Sequence, residues 1–195
     1  MKLRLFAAAV VALGLFPAAA HAQIGVYLNP VAIRVSNSVK DTGPFAFLGQ
    51  NSTSAVLFGY TLGGYDDFFH SGKLGAGIDM RLSDLHSNNA MLRDFALGVR
   101  VSGTPFTRPI KPYVQASVAV ATTKAPQSAV HTTKGAYIIY GGVDYTLAKH
   151  VDLRAIELGY GSLTTVSSAT VGSGGNVAIP ASKLLSFSSG LVFRF

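Results

Sequence analysis

Residues 73–82 read Lys-Leu-Gly-Ala-Gly-Ile-Asp-Met-Arg-Leu, and residues 94–102 read Asp-Phe-Ala-Leu-Gly-Val-Arg-Val-Ser. In the first, Leu74, Ala76, Ile78, Met80 and Leu82 alternate with Lys73, Gly75, Gly77, Asp79 and Arg81. In the second, Phe95, Leu97, Val99 and Val101 alternate with Asp94, Ala96, Gly98, Arg100 and Ser102. A period of two is the strand signature. The exterior of a soluble sheet would be crowded with Lys and Glu. Here the polar face is Gly, Ala and Ser with a few Arg and Asp, which suits a narrow barrel interior where small residues make room for a few large polar ones. The apolar face then belongs to lipid.

Outward from these two segments the same alternation recurs. Candidate strands cover 24–36, 53–65, 73–82, 93–102, 112–121, 134–146, 151–161 and 182–195, bounded by Gly, Asn, Asp, Ser and Pro clusters. Most are long enough to cross a bilayer as tilted strands. The expected fold is all-β: an eight-stranded antiparallel up-and-down transmembrane β-barrel after an N-terminal signal peptide. Connectors alternate between longer ones (37–52, 83–92, 122–133, 162–181) and shorter ones (66–72, 103–111, 147–150). Short turns on the periplasmic side and long loops outside would make both termini periplasmic.

Composition fits this reading. The chain has 195 residues, 49% hydrophobic and 13% charged, with 21 Gly and no Cys. After the first 20 residues no apolar run reaches the 18 residues of a membrane helix. Lys2 and Arg4, the apolar stretch Leu5 to Phe16, and Ala20-His21-Ala22 read as a signal peptide over 1–22, leaving a barrel domain over 23–195. Losing Lys2 and Arg4 takes the net charge from +7 to +5. The remaining basic residues are scattered singly, which argues against nucleic acid as a partner.

The polar face carries Arg34, Arg81, Arg100 and Arg154 against Asp79, Asp94, Asp144 and Glu157. Charges in a narrow interior must be paired to be tolerated, so these eight are expected to form an ion-pair network that plugs the lumen. A gated ion path along them is the alternative. Strict alternation from Asp152 and Arg154 would turn Glu157 toward lipid, at substantial cost. A β-bulge at Ala155 and Ile156 would return it to the lumen. Pro30 cannot donate to a ladder, so a bulge or irregular pairing is expected there. Tyr27, Tyr60, Tyr113, Tyr137, Tyr145, Tyr160 and Phe195 are candidates for interfacial girdles, a place expected for about half of them.

Reading back from the terminus, Phe195, Phe193, Leu191, Phe187 and Leu185 share one face, interrupted by Ser189. This resembles the last strand of bacterial outer-membrane barrels, and the resemblance implies that Leu191, Phe193 and Phe195 act as the C-terminal signal read by the barrel-assembly machinery. Gly142-Val143-Asp144-Tyr145-Thr146-Leu147, then Val151-Asp152-Leu153-Arg154 and Glu157-Leu158-Gly159-Tyr160, resemble the late hairpin of the small OmpA-like and OmpX-like barrels, with Ile156 departing from the pattern. The expected state is a monomer in outer-membrane lipid, with no cofactor. No peptidoglycan-binding domain is expected after Phe195, so that part of the OmpA role is not implied.

Catalysis is weakly supported. His86 and Ser87 are adjacent, so they would point to opposite faces, and Asp84 to Asn89 reads as a polar loop. His131 and Thr133 have the spacing of a base and nucleophile on one face, without a nearby carboxylate. The histidines lack metal-ligand spacing, and Gly172 to Gly175 lacks the Lys-Ser of a phosphate loop. The expected role is structural or surface-interactive rather than enzymatic. The alternatives are a narrow pore for small solutes or, less well supported, a lipid-modifying enzyme.

Overall fold

A computed structural model describes residues 23–41, 46–104, 109–163 and 181–195. The leader expected at 1–22 lies outside the described residues. Eight strands follow in order: β1 (Gln23–Asp41), β2 (Ser52–Ser71), β3 (Leu74–Ser87), β4 (Ala90–Gly103), β5 (Ile110–Lys124), β6 (His131–Ala148), β7 (Val151–Leu163) and β8 (Ser182–Arg194). Each pairs antiparallel with its sequence neighbour, and β1 closes the ring against β8. Closure gives every strand two partners, so no backbone edge is left to satisfy in lipid.

All eight expected strands are present, most of them longer than the apolar pattern alone suggested. The main difference is at 83–92, expected to be a long connector. There β3 runs to Ser87 and β4 starts at Ala90, joined only by Asn88 and Asn89 with φ of 42° and 68°. Two positive φ values in succession belong to the two-residue hairpin turn whose twist matches paired strands, and Asn tolerates them better than most residues. Asp84 and His86 are therefore strand residues. Gly72, at φ 60°, makes the β2–β3 turn at the opposite end. That end, where the described chain starts and stops, is called the terminal end below, and the other is the long-loop end.

β7 contains the expected bulge. Arg154 is buried, Ala155 and Ile156 are both exposed, and Glu157 is buried again. Toward β6, Val143 pairs with Ile156 and Asp144 with Arg154. Toward β8, Ala155 and Ile156 together face the one residue between Ser188 and Gly190. Pro30 causes no register shift. It pairs with Tyr60 of β2, while on the other side the β1–β8 ladder passes from Leu28↔Leu191 to Val31↔Ser188 without pairs between.

Candidate functional site: the barrel interior

Alternation sorts the side chains. Leu97, Val99 and Phe193 point outward, each about half exposed, while Asp79 and Arg100 are buried inside. The interior has two storeys. The middle and terminal end are polar and charged. The long-loop end is apolar, where Val31, Ile33, Val35, Leu57, Leu85, Leu92 and Leu184 pack with Phe47 and Leu48 of the first connector. The Asp41 carboxylate holds that connector by accepting the Leu48 backbone N–H at 3.0 Å. The dry upper storey was not expected from sequence.

The charged storey is one connected network. Arg81 sits on β3, inside the barrel because Asp79, Arg81 and Ser83 share the inward register. Its Nε donates to Asp79 Oδ1 at 3.0 Å, its Nη1 to Glu157 Oε1 at 3.1 Å and its Nη2 to Gln115 Oε1 at 3.0 Å. Glu157 also accepts from Tyr113 Oη at 2.6 Å, Ser188 Oγ at 3.0 Å and Arg154 Nη1 at 3.4 Å. Arg154 Nε and Arg100 Nη2 both donate to Asp144, each at 2.9 Å, through its two carboxylate oxygens. Three arginines thus meet three carboxylates, and the formal charges cancel. Desolvating so many ions is tolerable only because nearly every oxygen is hydrogen-bonded.

Tyrosine rings form the walls between these charges. Arg100 lies between Tyr65 and Tyr113, its guanidinium carbon 3.9 and 4.0 Å from the ring centres. Arg81 lies 3.9 Å over Tyr140, and Arg154 4.2 Å over Tyr27. Guanidinium planes stack on aromatic faces and are weakly hydrated, so Arg suits this arrangement better than Lys. Tyr27 also donates to Asp79 Oδ2 at 2.8 Å. Each of the four tyrosines faces a glycine on a neighbouring strand: Tyr27↔Gly63, Tyr65↔Gly25, Tyr113↔Gly142 and Tyr140↔Gly159. A Cβ at Gly63 would lie 2.3 Å from the Tyr27 oxygen, and one at Gly142 2.5 Å from that of Tyr113. The glycines create the space into which the rings fold.

Of the eight charged residues expected in the lumen, six form this network: Asp79, Arg81, Arg100, Asp144, Arg154 and Glu157. Asp94 is also inside, but its hydrogen bond is to Ser83 Oγ at 3.2 Å, apart from the arginines. Arg34 is a correction. It is exposed on the outer wall, because Tyr27, Asn29, Val31, Ile33 and Val35 hold the inward positions of β1 without a break. Tyr27 and Tyr113, considered for the girdle, line the interior instead, whereas Tyr60, Tyr137, Tyr145, Tyr160 and Phe195 are exposed. Two pairs were missed. At the terminal end Asp152 Oδ2 lies 3.1 Å from Lys111 Nζ and 2.7 Å from Arg194 Nε. Strand alternation already put Asp152 inward, but its partners depend on register. Leu191, Phe193 and Phe195 are exposed on the outer face.

Outside, near the long-loop end, Asp84 Oδ1 lies 2.9 Å from His86 Nε2 and 3.0 Å from Arg93 Nε. Thr133 shares a hydrogen bond with Thr122 at 2.9 Å. Among the described residues no group of three or more His, Asp or Glu side chains is placed to hold a metal ion.

No family model and no curated protein matches the sequence. Solved structures do match. Neisserial surface protein A (NspA) superposes with a TM-score of 0.58 at 16% identity, covering 88% of this chain and 97% of that one. Ail, the attachment invasion locus protein of Yersinia pestis, gives 0.52 at 11% identity, covering 90% and 99%. At such identities the shared property is the backbone. The chain has the fold of the eight-stranded β-barrels of the bacterial outer membrane.

Proposed function

We propose that this protein is an integral outer-membrane barrel with a sealed interior, whose role is to stabilise the envelope or present its long-loop end to the surroundings rather than to catalyse a reaction. It is monomeric, its termini face the periplasm, and it reaches the membrane by way of a cleaved leader and the barrel-assembly machinery, with Leu191, Phe193 and Phe195 as the address. The observation that carries this reading is the filled interior: the Arg–carboxylate–Tyr network below and the dry Leu and Val layer above. An eight-stranded barrel has room for little more than its own side chains.

A narrow pore is the second reading. It is favoured by buried polar atoms at the terminal end without a hydrogen-bond partner among the described residues, namely Asp67 Oδ1, Asp152 Oδ1 and Arg100 Nε and Nη1. Conductance in a planar bilayer separates the two. The sealed barrel gives no steps above background, and reproducible steps that change on Leu85→Ala would replace it with the pore. Heat-modifiable gel migration of outer-membrane fractions tests barrel and location together.

A further inference from the structure

The outer wall carries a set of cations that the sealed-barrel reading does not use. Arg34 and Lys183 are exposed on adjacent strands, Arg34 opposite Leu185 and Lys183 opposite Ser36. That makes them diagonal neighbours across the β1–β8 pair, within reach of one another. Neither has a hydrogen bond or ion pair with any described residue. Across the barrel Lys124 stands directly opposite His131 on β5 and β6, and Arg93 on β4 shares the Asp84 carboxylate with His86. The sequence has nine acidic residues. Asp84 alone stands on this rim, because Asp41 is buried under the first connector and the other seven lie inside or toward the terminal end. Arg93 is thus already paired with Asp84, whereas Arg34 and Lys183 are neighbouring like charges without a counter-ion among the described residues, an arrangement that an external anion would relieve.

Height says which anion. On β8 the outward run from Leu185 to Phe195 spans ten residues, about 33 Å along the strand and about 25 Å along the barrel axis at a tilt of about 40°. That is the height of the apolar band of a membrane barrel. Lys183 is the next outward residue beyond it, with Arg34 beside it, so both sit where headgroups lie. We propose that Arg34 and Lys183 form a collar for a phosphate-bearing lipid headgroup. The guanidinium fork and the ammonium point charge are both suited to phosphate oxygens. The proposal rests on the membrane orientation given above.

The test is native mass spectrometry of the full chain, refolded in detergent and titrated with diphosphoryl lipid A, its dephosphorylated counterpart and phosphatidylcholine. Diphosphoryl lipid A is expected to be retained in preference to the other two. R34Q/K183Q should weaken it by about thirtyfold, at about fivefold per charge removed. Equal retention of phosphorylated and dephosphorylated lipid, or unchanged affinity in R34Q/K183Q, overturns the collar. Preferential capture of a soluble sulfated oligosaccharide over lipid A also overturns it in favour of a soluble polyanion. Heat-modifiable migration is recorded for every sample. A wild-type chain without it refutes the barrel reading itself, whereas an intact barrel without lipid discrimination refutes only the collar.

Discussion

Replacing Arg81 with Met removes the one cation among the described residues that touches Asp79. In the native lumen Arg81 bridges Asp79 at 3.0 Å and Glu157 at 3.1 Å and lies over Tyr140. After the substitution Glu157 keeps Arg154, Tyr113 and Ser188. Asp79 keeps only neutral donors, Tyr27 at 2.8 Å and Gln115 at 2.8 Å. A network of three positive and three negative groups becomes one with a surplus buried carboxylate. Breaking a buried pair from one side costs about 3–5 kcal/mol, and the Tyr and Gln donors place this case toward the lower end. Asp79→Asn in the same background removes the surplus charge while keeping an acceptor for Tyr27. The double variant should therefore cost less than the sum of the two singles, by about 1–3 kcal/mol. The chain has no Trp, so unfolding in urea is followed by far-UV circular dichroism and by heat-modifiable migration. A loss below about 1 kcal/mol for Arg81→Met, or strict additivity in the cycle, would refute the argument that these charges hold one another in place.

Three further outcomes follow from packing and register. Gly142→Ala should destabilise the barrel by about 1–3 kcal/mol, because its Cβ meets the Tyr113 ring, whereas Gly141→Ala, with open space around it, should change urea stability little. Deleting Ala155 straightens the β7 bulge yet leaves Arg154 and Glu157 on the inner face, so the product should still refold to a heat-modifiable form. Deleting Val99 sends Arg100 or its successors toward lipid and should abolish refolding. Removing Phe195 should reduce the protein recovered from outer-membrane fractions while leaving refolding into detergent unchanged, since its ring is exposed and packs on nothing inside.

The parts of this fold legible in the sequence are those where one face of a strand is polar. On β3 and β4 alternation gives both the strand and its facing, because an arginine or aspartate in lipid is expensive at mid-membrane, and on β5 Gln115 and Ser117 mark the polar face in the same way. The same cost revealed the β7 bulge, since Glu157 could reach the interior only through an extra residue. On β1 the argument fails for a physical reason. Leu28, Pro30 and Ala32 face outward while Val31, Ile33 and Val35 face the dry upper storey, so neither side is polar and the period of two disappears. Arg34, the one charge in that stretch, was placed by its chemistry rather than by register, and at the headgroup level the wall accepts a cation at little cost.

The tyrosines show what a single strand cannot say about itself. An amphipathic ring suits both a lipid interface and a stack on arginine, so the residue type leaves Tyr27 and Tyr160 indistinguishable. The neighbouring strand separates them. All four buried tyrosines face a glycine, whereas exposed Tyr60 faces Pro30 and Asp84, Tyr137 faces Val118 and Ser162, and Tyr160 faces Ile139 and Leu185. The inward ring folds over the glycine opposite it, and arginine stacks on the face the ring then presents. The inward position of these charges follows from alternation along each strand, but their stacking depends on cross-strand pairs of Gly and Tyr, which exist only once register is fixed.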